Sequence, residues 1–259
     1  MSAEHGLIMT ATFTGTPLGT ALVILVSLFV SSLEARADGR QRWSDQLWNV
    51  VRGLCLPTHA IGLTWPCIKV DLASEIAVLR VGPSHILVVP TRKLTGIESA
   101  ALLQPASPNY WQAAWEAQSF LRLGSHRARR TELGMAVNSV GGRSQDQLHL
   151  HLRCVKNSVR STLDRHAPKI TKNWRWLRID SFEQPYRVRW LAGEDLNGRD
   201  PFKILAGKLP SVRKRMGDQT LVVVGAQSPE GTPGFYLLNR ESRPSDPASG
   251  EELLTSCGR

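Results

Sequence analysis

The segment Gln147-Leu148-His149-Leu150-His151-Leu152-Arg153-Cys154 alternates polar and apolar side chains without a break. A period of two belongs to a β-strand with one buried face, because a helix would spread the same leucines around its circumference. In such a strand Leu148, Leu150 and Leu152 enter the core, while Gln147, His149, His151 and Arg153 share the opposite face. Any fold open to this chain must therefore contain a sheet whose second face carries imidazoles beside a guanidinium.

The rest of the sequence supplies partners for that strand. Strands are expected at 75–81 (EIAVLRV) and 85–89 (HILVV), joined by a turn at Gly82-Pro83-Ser84, at 133–138, and in shorter runs at 175–179, 186–190, 220–224 and 235–238. Apolar residues recur at helical spacing over 41–56, ending near Gly53 or Pro57, over 109–123 after Pro108, over 158–167 and near 201–206. Strands outnumbering helices in this order predict an α+β fold, a largely antiparallel sheet with flanking helices. No Pro/Gly/Ser-rich linker interrupts residues 40–240, so 38–259 is read as one domain.

Leu18 to Val30 (LGTALVILVSLFV) bears no charge. It falls short of the roughly 20 residues of a comfortable spanning helix and matches the about 7 to 15 of a signal-peptide core. Both readings export the remainder of the chain: residues 1–37 act as a retained N-terminal hydrophobic helix, or as a signal removed after Ala35-Arg36-Ala37. The four cysteines agree with an oxidising compartment. They allow three pairings. Cys55 and Cys67 enclose a short loop suited to a local bridge, which leaves Cys154 with Cys257. Zinc is disfavoured, because no Cys-x2-Cys pair is present.

A net charge of +10 favours anionic partners. The runs Arg127, Arg129, Arg130 and Arg213, Lys214, Arg215 are short and lack the interleaved aromatics of a single-strand groove, so nucleic acid is not the expected partner. The His149/His151 face suits a phosphoanhydride: one neutral imidazole attacks phosphorus, the other donates to an oxygen, and Arg153 meets negative charge, with no metal or cofactor required. His59, His85, His126 and His166 lack such a short spacing and are read as surface or loop residues. Arg92 and Lys93 either line a phosphate entrance or are simply solvated.

The order Asn138, Gly141-Gly142, Ser144, Gln147, His149, His151 resembles the histidine-triad superfamily, and Gly82 to Lys93 (GPSHILVVPTRK) is similar to its strand GHxLVxPxRH. Within it the chain resembles the CDP-diacylglycerol pyrophosphatases. This likeness rests on Cys55-Leu-Pro57, Pro66-Cys67, Pro90-Thr91, Gly96-Ile-Glu-Ser99, Ser107-Pro-Asn109, Ala136-Val-Asn-Ser139, Gly142-Arg-Ser-Gln145, Arg199-Asp-Pro-Phe202 and Cys257. The resemblance implies a HIT-like fold and hydrolysis of CDP-diacylglycerol to CMP and phosphatidate through a nucleotidyl-histidine. It further implies one N-terminal segment in the bacterial inner membrane, with the catalytic domain periplasmic.

Residue by residue, the resemblance makes His149 the nucleophile and His151 the group on phosphate and leaving oxygen, with Asn138 and Ser144 on the phosphate region. Gln147 departs from the usual His, although that position orients backbone through a hydrogen bond, which an amide can also do. A second register makes His151 the nucleophile and Arg153 the third residue; the position of Ser144 favours the first. A hydrolase of soluble nucleotide diphosphates and a non-catalytic binding module stand as alternatives.

Overall fold

Aliphatic and β-branched runs pair into a single antiparallel sheet. The protein is described by a computed structural model covering residues 44–123 and 127–258. Its strands are β1 (Cys67–Asp71), β2 (Ile76–Gly82), β3 (His85–Pro90), β4 (Leu133–Val137), β5 (Leu150–Val155), β6 (Arg175–Leu177), β7 (Tyr186–Ala192), β8 (Gln219–Gln227), β9 (Pro233–Glu241) and β10 (Leu254–Thr255). They are ordered β1-β2-β3-β5-β4-β8-β9-β7-β6, with β10 added to the end of β5. The α+β expectation therefore holds. The anticipated N-terminal hydrophobic helix, its cleavage site, Trp43 and His126 lie outside the described residues. Among the described residues no helix is long and apolar enough to cross a membrane.

Alternation divides the two faces. Ile76, Val78, Ile86, Val88, Met135, Leu150, Leu152, Leu221 and Val223 project into the larger core, where they meet Tyr110, Trp111, Trp115 and Phe202. Residues of opposite parity build two separate clusters on the other face. Ala77, Leu79, Leu87 and Val89 pack under Leu47, Val51 and Cys55. Ala136, Val155, Val222, Val224, Tyr236 and Leu238 pack under Val159 and Leu163. The strip over β5 between these clusters is where His151 faces.

The helix over the first cluster runs through Gln46–Val50, a π turn Val51–Cys55 and Leu56–Ala60. It does not stop at Gly53 or Pro57. The π turn takes in Gly53, and Pro57 is the second residue of the last segment, just after that turn. The helix expected over 109–123 is α-helical for Tyr110–Glu116 and tightens to a 3₁₀ turn at Ala117–Phe120. Asn109 starts it by accepting a 3.2 Å hydrogen bond from the Gln112 amide.

Two strands, β1 and β10, go beyond those expected from the sequence. The strand expected at 147–154 is displaced: β5 begins at Leu150, and Gln147 and His149 lie on its approach. Both anticipated disulfides form, Cys55–Cys67 and Cys154–Cys257. The second ties the C-terminal segment to β5 beside β10.

Candidate active site

The register of β3 on β5 builds the site. Leu87 pairs with His151 and Ile86 with Leu152, which brings His85 level with Arg153. His85 Nε2 consequently lies 3.0 Å from His151 Nδ1, with the rings stacked at 5.3 Å. His149 meets His151 edge-on at 4.8 Å. Three imidazoles thus form a row along one face, His149, His151, His85, ending beside Arg153. The reading of His85 as a surface residue is corrected. It has the parity of Leu87 and Val89, and only the long-range pairing of β3 with β5 reveals its neighbour.

The approach to β5 is pinned by the side chain of Gln147, which is fully buried. Its amide donates to the carbonyls of Pro90 (3.1 Å) and Arg92 (2.8 Å), and its oxygen accepts from the Leu94 N–H (3.2 Å). Gln147 therefore holds the chain leaving β3 against the chain entering β5. Its own carbonyl lies 2.7 Å from His149 Nδ1. A carbonyl can only accept, so Nδ1 carries the proton and Nε2 keeps the lone pair. Among the described residues nothing hydrogen-bonds that Nε2.

Burial, assisted by His151 and only partly offset by the Gln147 carbonyl, depresses the His149 pKa to about 4. Burial also lowers His85 to about 4, with His151 and Arg153 adding to the effect.

His151 is held from its other side by Glu251, a residue that no local sequence pattern singles out. The Glu251 carboxylate lies 3.0 Å from His151 Nε2 and accepts a 2.7 Å bond from Asn138 Nδ2. Burial raises its pKa, yet His151 and Asn138 outweigh that and hold it at about 2. Asn138 Oδ1 receives the N–H of Gly250 (2.9 Å) and the hydroxyl of Ser249 (3.1 Å), which fixes the turn carrying Glu251.

The glycine-bearing loop is equally fixed. Arg143 grips Glu98 through both terminal nitrogens (2.7 and 2.8 Å) and also reaches Asp146. Gly142 is required by close packing, because a Cβ there would lie 2.3 Å from the Ala248 carbonyl oxygen. Ser144 is exposed and free of protein hydrogen bonds among the described residues. Arg153 is half-buried and makes one long contact, 3.4 Å to Ser256. Arg92 and Lys93 pair with Glu75 (2.7 Å) and Asp45 (3.0 Å).

His85, His151 and Glu251 offer ligand atoms within 4.8 Å of one another, which would admit a divalent ion at the expense of the His85–His151 hydrogen bond and the Glu251–His151 pair. Without one, the arrangement supplies a neutral nucleophilic nitrogen, a neighbouring proton donor and a cation at the end of the row.

A family model described as CDP-diacylglycerol pyrophosphatase matches residues 42–258. A Yersinia pestis protein named CDP-diacylglycerol pyrophosphatase is 34% identical over 239 residues, covering 89% of this chain and 91% of that protein. The matched span takes in Gln147, His149, His151 and the C-terminal turn with Glu251, and the chain belongs to the CDP-diacylglycerol pyrophosphatase family.

Proposed function

We propose that this chain hydrolyses CDP-diacylglycerol to CMP and phosphatidate on a HIT-like scaffold, with His149 as the nucleophile. The observation that carries the reading is the 2.7 Å contact between His149 Nδ1 and the Gln147 carbonyl, which leaves Nε2 free to attack. His151 has neither nitrogen free, since one faces His85 and the other Glu251. That favours the register in which His149 reacts and His151 serves the leaving oxygen.

In the first step Nε2 bonds to the cytidylyl phosphorus, the bond to the bridging oxygen breaks, and phosphatidate departs. His151 lends a proton from Nδ1 to that oxygen as the substrate takes the place of His85, while Glu251 stays beside Nε2. In the second step water attacks the same phosphorus, the N–P bond breaks, CMP leaves, and His151 recovers a proton from the water. The positive charge on the modified His149 ring is met by the Gln147 carbonyl. Arg153 and Ser144 supply donors to phosphoryl oxygens, as positioning and charge neutralisation demand in phosphoryl transfer. Asn138 acts through Glu251, and Gln147 through the backbone.

The substrate's lipid nature bears on where the domain resides. An uncharged N-terminal segment and disulfides that suit an oxidising compartment support a domain on the periplasmic side of the inner membrane. The segment holds it there as a single-pass anchor, or else is cleaved as a signal.

The test uses CDP-diacylglycerol labelled at the cytidylyl phosphorus. Rapid quenching should trap label on the wild-type protein and none on His149→Ala, and peptide mapping should place it on His149. Label on His151, or turnover with no protein-bound label under any condition, would overturn the assignment.

A further inference from the structure

The disulfide Cys55–Cys67 closes a loop that turns its apolar side chains outward. Ile61 (73% exposed), Leu63 (55%) and Trp65 (68%) project from it, and Val81 (53%) stands exposed at the neighbouring end of β2. The backbone beneath them is ordered. Gly62, at φ 78°, ends the helix, with the Leu63 N–H bonded to the Thr58 carbonyl at 2.9 Å and the Gly62 N–H to the His59 carbonyl at 3.0 Å. The apolar residue after such a cap ordinarily folds back onto its helix, whereas Leu63 stays 55% exposed.

Sheet register places this loop relative to the histidines. Cys67 pairs with Leu79, and the strand then runs two residues to Val81 and on to Gly82, which pairs with His85. The loop therefore lies toward the His85 and Arg153 end of the imidazole row, and the helix carrying it packs on Leu87, the cross-strand partner of His151. His149, which takes the nucleotide phosphorus in the proposed mechanism, lies toward the other end. No acidic residue occurs between Asp45 and Asp71, whereas Arg52 and Lys69 do. An apolar loop in a stretch of chain that carries Arg52 and Lys69 and no acidic residue suits an anionic lipid leaflet.

We infer that the disulfide-closed loop dips Ile61, Leu63 and Trp65 into the lipid leaflet that carries the substrate, so that the diacylglycerol end of the molecule enters the site from the His85 side. This rests on the proposed action on CDP-diacylglycerol, and it adds a bilayer contact independent of the N-terminal segment.

The full chain is reconstituted in phosphatidylglycerol-containing vesicles with brominated acyl chains. Tryptophan quenching should be clearly stronger in the wild type than in Trp65→Phe, which removes the reporter and keeps the ring. The triple variant Ile61→Ser, Leu63→Ser, Trp65→Ser should lose roughly tenfold or more in turnover of vesicle-borne long-chain CDP-diacylglycerol, through apparent KM, since each side chain leaves a favourable apolar medium. Its turnover of a monomeric short-chain CDP-diacylglycerol should match the wild type. Equal quenching in wild type and Trp65→Phe, or an equal loss on both substrates, overturns the inference. If the wild type turns over neither lipid substrate, the proposed function fails, while the quenching comparison still decides the loop.

Discussion

Glu251 and His151 form a 3.0 Å carboxylate–imidazole pair although they come from distant parts of the chain. The carboxylate also takes a hydrogen bond from Asn138, and His151 stacks on His85, so the ring is held between the two. An oriented, charge-stabilised imidazole is better suited to lending a proton to a departing phosphate than a free one. Glu251→Gln keeps the size and an accepting oxygen but removes the charge. We expect kcat to fall roughly 10- to 100-fold with little change in KM, the magnitude usual for partners that orient a reactive group. Steady-state kinetics on Glu251→Gln and Glu251→Asp checks this, and an unchanged kcat in Glu251→Gln would leave the carboxylate a purely structural role.

Acid should inactivate the enzyme later than an ordinary histidine would suggest. The attacking form of His149 is neutral, and burial lowers its pKa from 6.5 to about 4. Loss of rate below about pH 6, the expectation for an unperturbed imidazole, is therefore displaced downward. The profile of kcat/KM should stay level from neutrality to near pH 5 and fall as pH passes about 4. Stability follows the same sign. The unfolded chain takes up a proton on this residue below 6.5 and the folded chain only near 4, so stability is lost across that window. For a residue as buried as His149 the loss is on the order of 3 kcal/mol. Urea titrations at neutral pH and near pH 4, with assays after return to neutrality, separate the two effects.

Whatever depends on near neighbours is legible in the sequence. The alternation of 147–154 and the aliphatic runs at 75–81, 85–89, 133–138 and 220–224 specify strands locally, and those strands form. The partners of the histidines are not legible in that way. His85 reaches His151 only through the β3–β5 register, and Glu251 sits in a stretch (RPSDPASGEE) whose composition suggests a loose tail. It is held by Asn138, by Arg240 and Tyr186 on Glu252, by β10 and by Cys257, contacts outside the stretch itself. The start of β5 departs from the alternation for a related reason: Gln147 bonds across to the chain after β3 in place of a ladder position.

Replacing Gln147 tests that cross-link. Its amide bonds three backbone groups in a fully buried setting, and Gln147→Ala leaves all three without a partner. The expected cost is roughly 2–4 kcal/mol, in line with buried unsatisfied groups. Activity should fall as well, because the carbonyl that orients His149 moves with this backbone. Gln147→Glu, which keeps the shape but replaces the donating amide with a second acceptor, should also destabilise. Denaturant midpoints for the two variants report the effect; a midpoint for Gln147→Ala equal to wild type would mean the cross-link contributes nothing.

The Cys154–Cys257 bridge is expected to matter for catalysis through Glu251. The bond closes a loop of sequence separation 103, long enough that the chain-entropy relation gives about 4–5 kcal/mol. Within that loop lie β6 to β9, whose mutual hydrogen bonding does not depend on the bridge, so the sheet should persist when it is removed. The C-terminal turn is held by the short β10, the Asn138 contacts, Arg240 and Tyr186 on Glu252, and the buried Leu253, with the bridge anchoring the segment beyond them. Cys154→Ser with Cys257→Ser should therefore lower the denaturation midpoint and, at temperatures where the domain is still folded, reduce kcat in the direction of Glu251→Gln without reaching it. Combining the double variant with Glu251→Gln should then cost little further activity, because both act through one carboxylate. Fully multiplicative losses in the combination would mean that the bridge serves the reaction by some route other than Glu251.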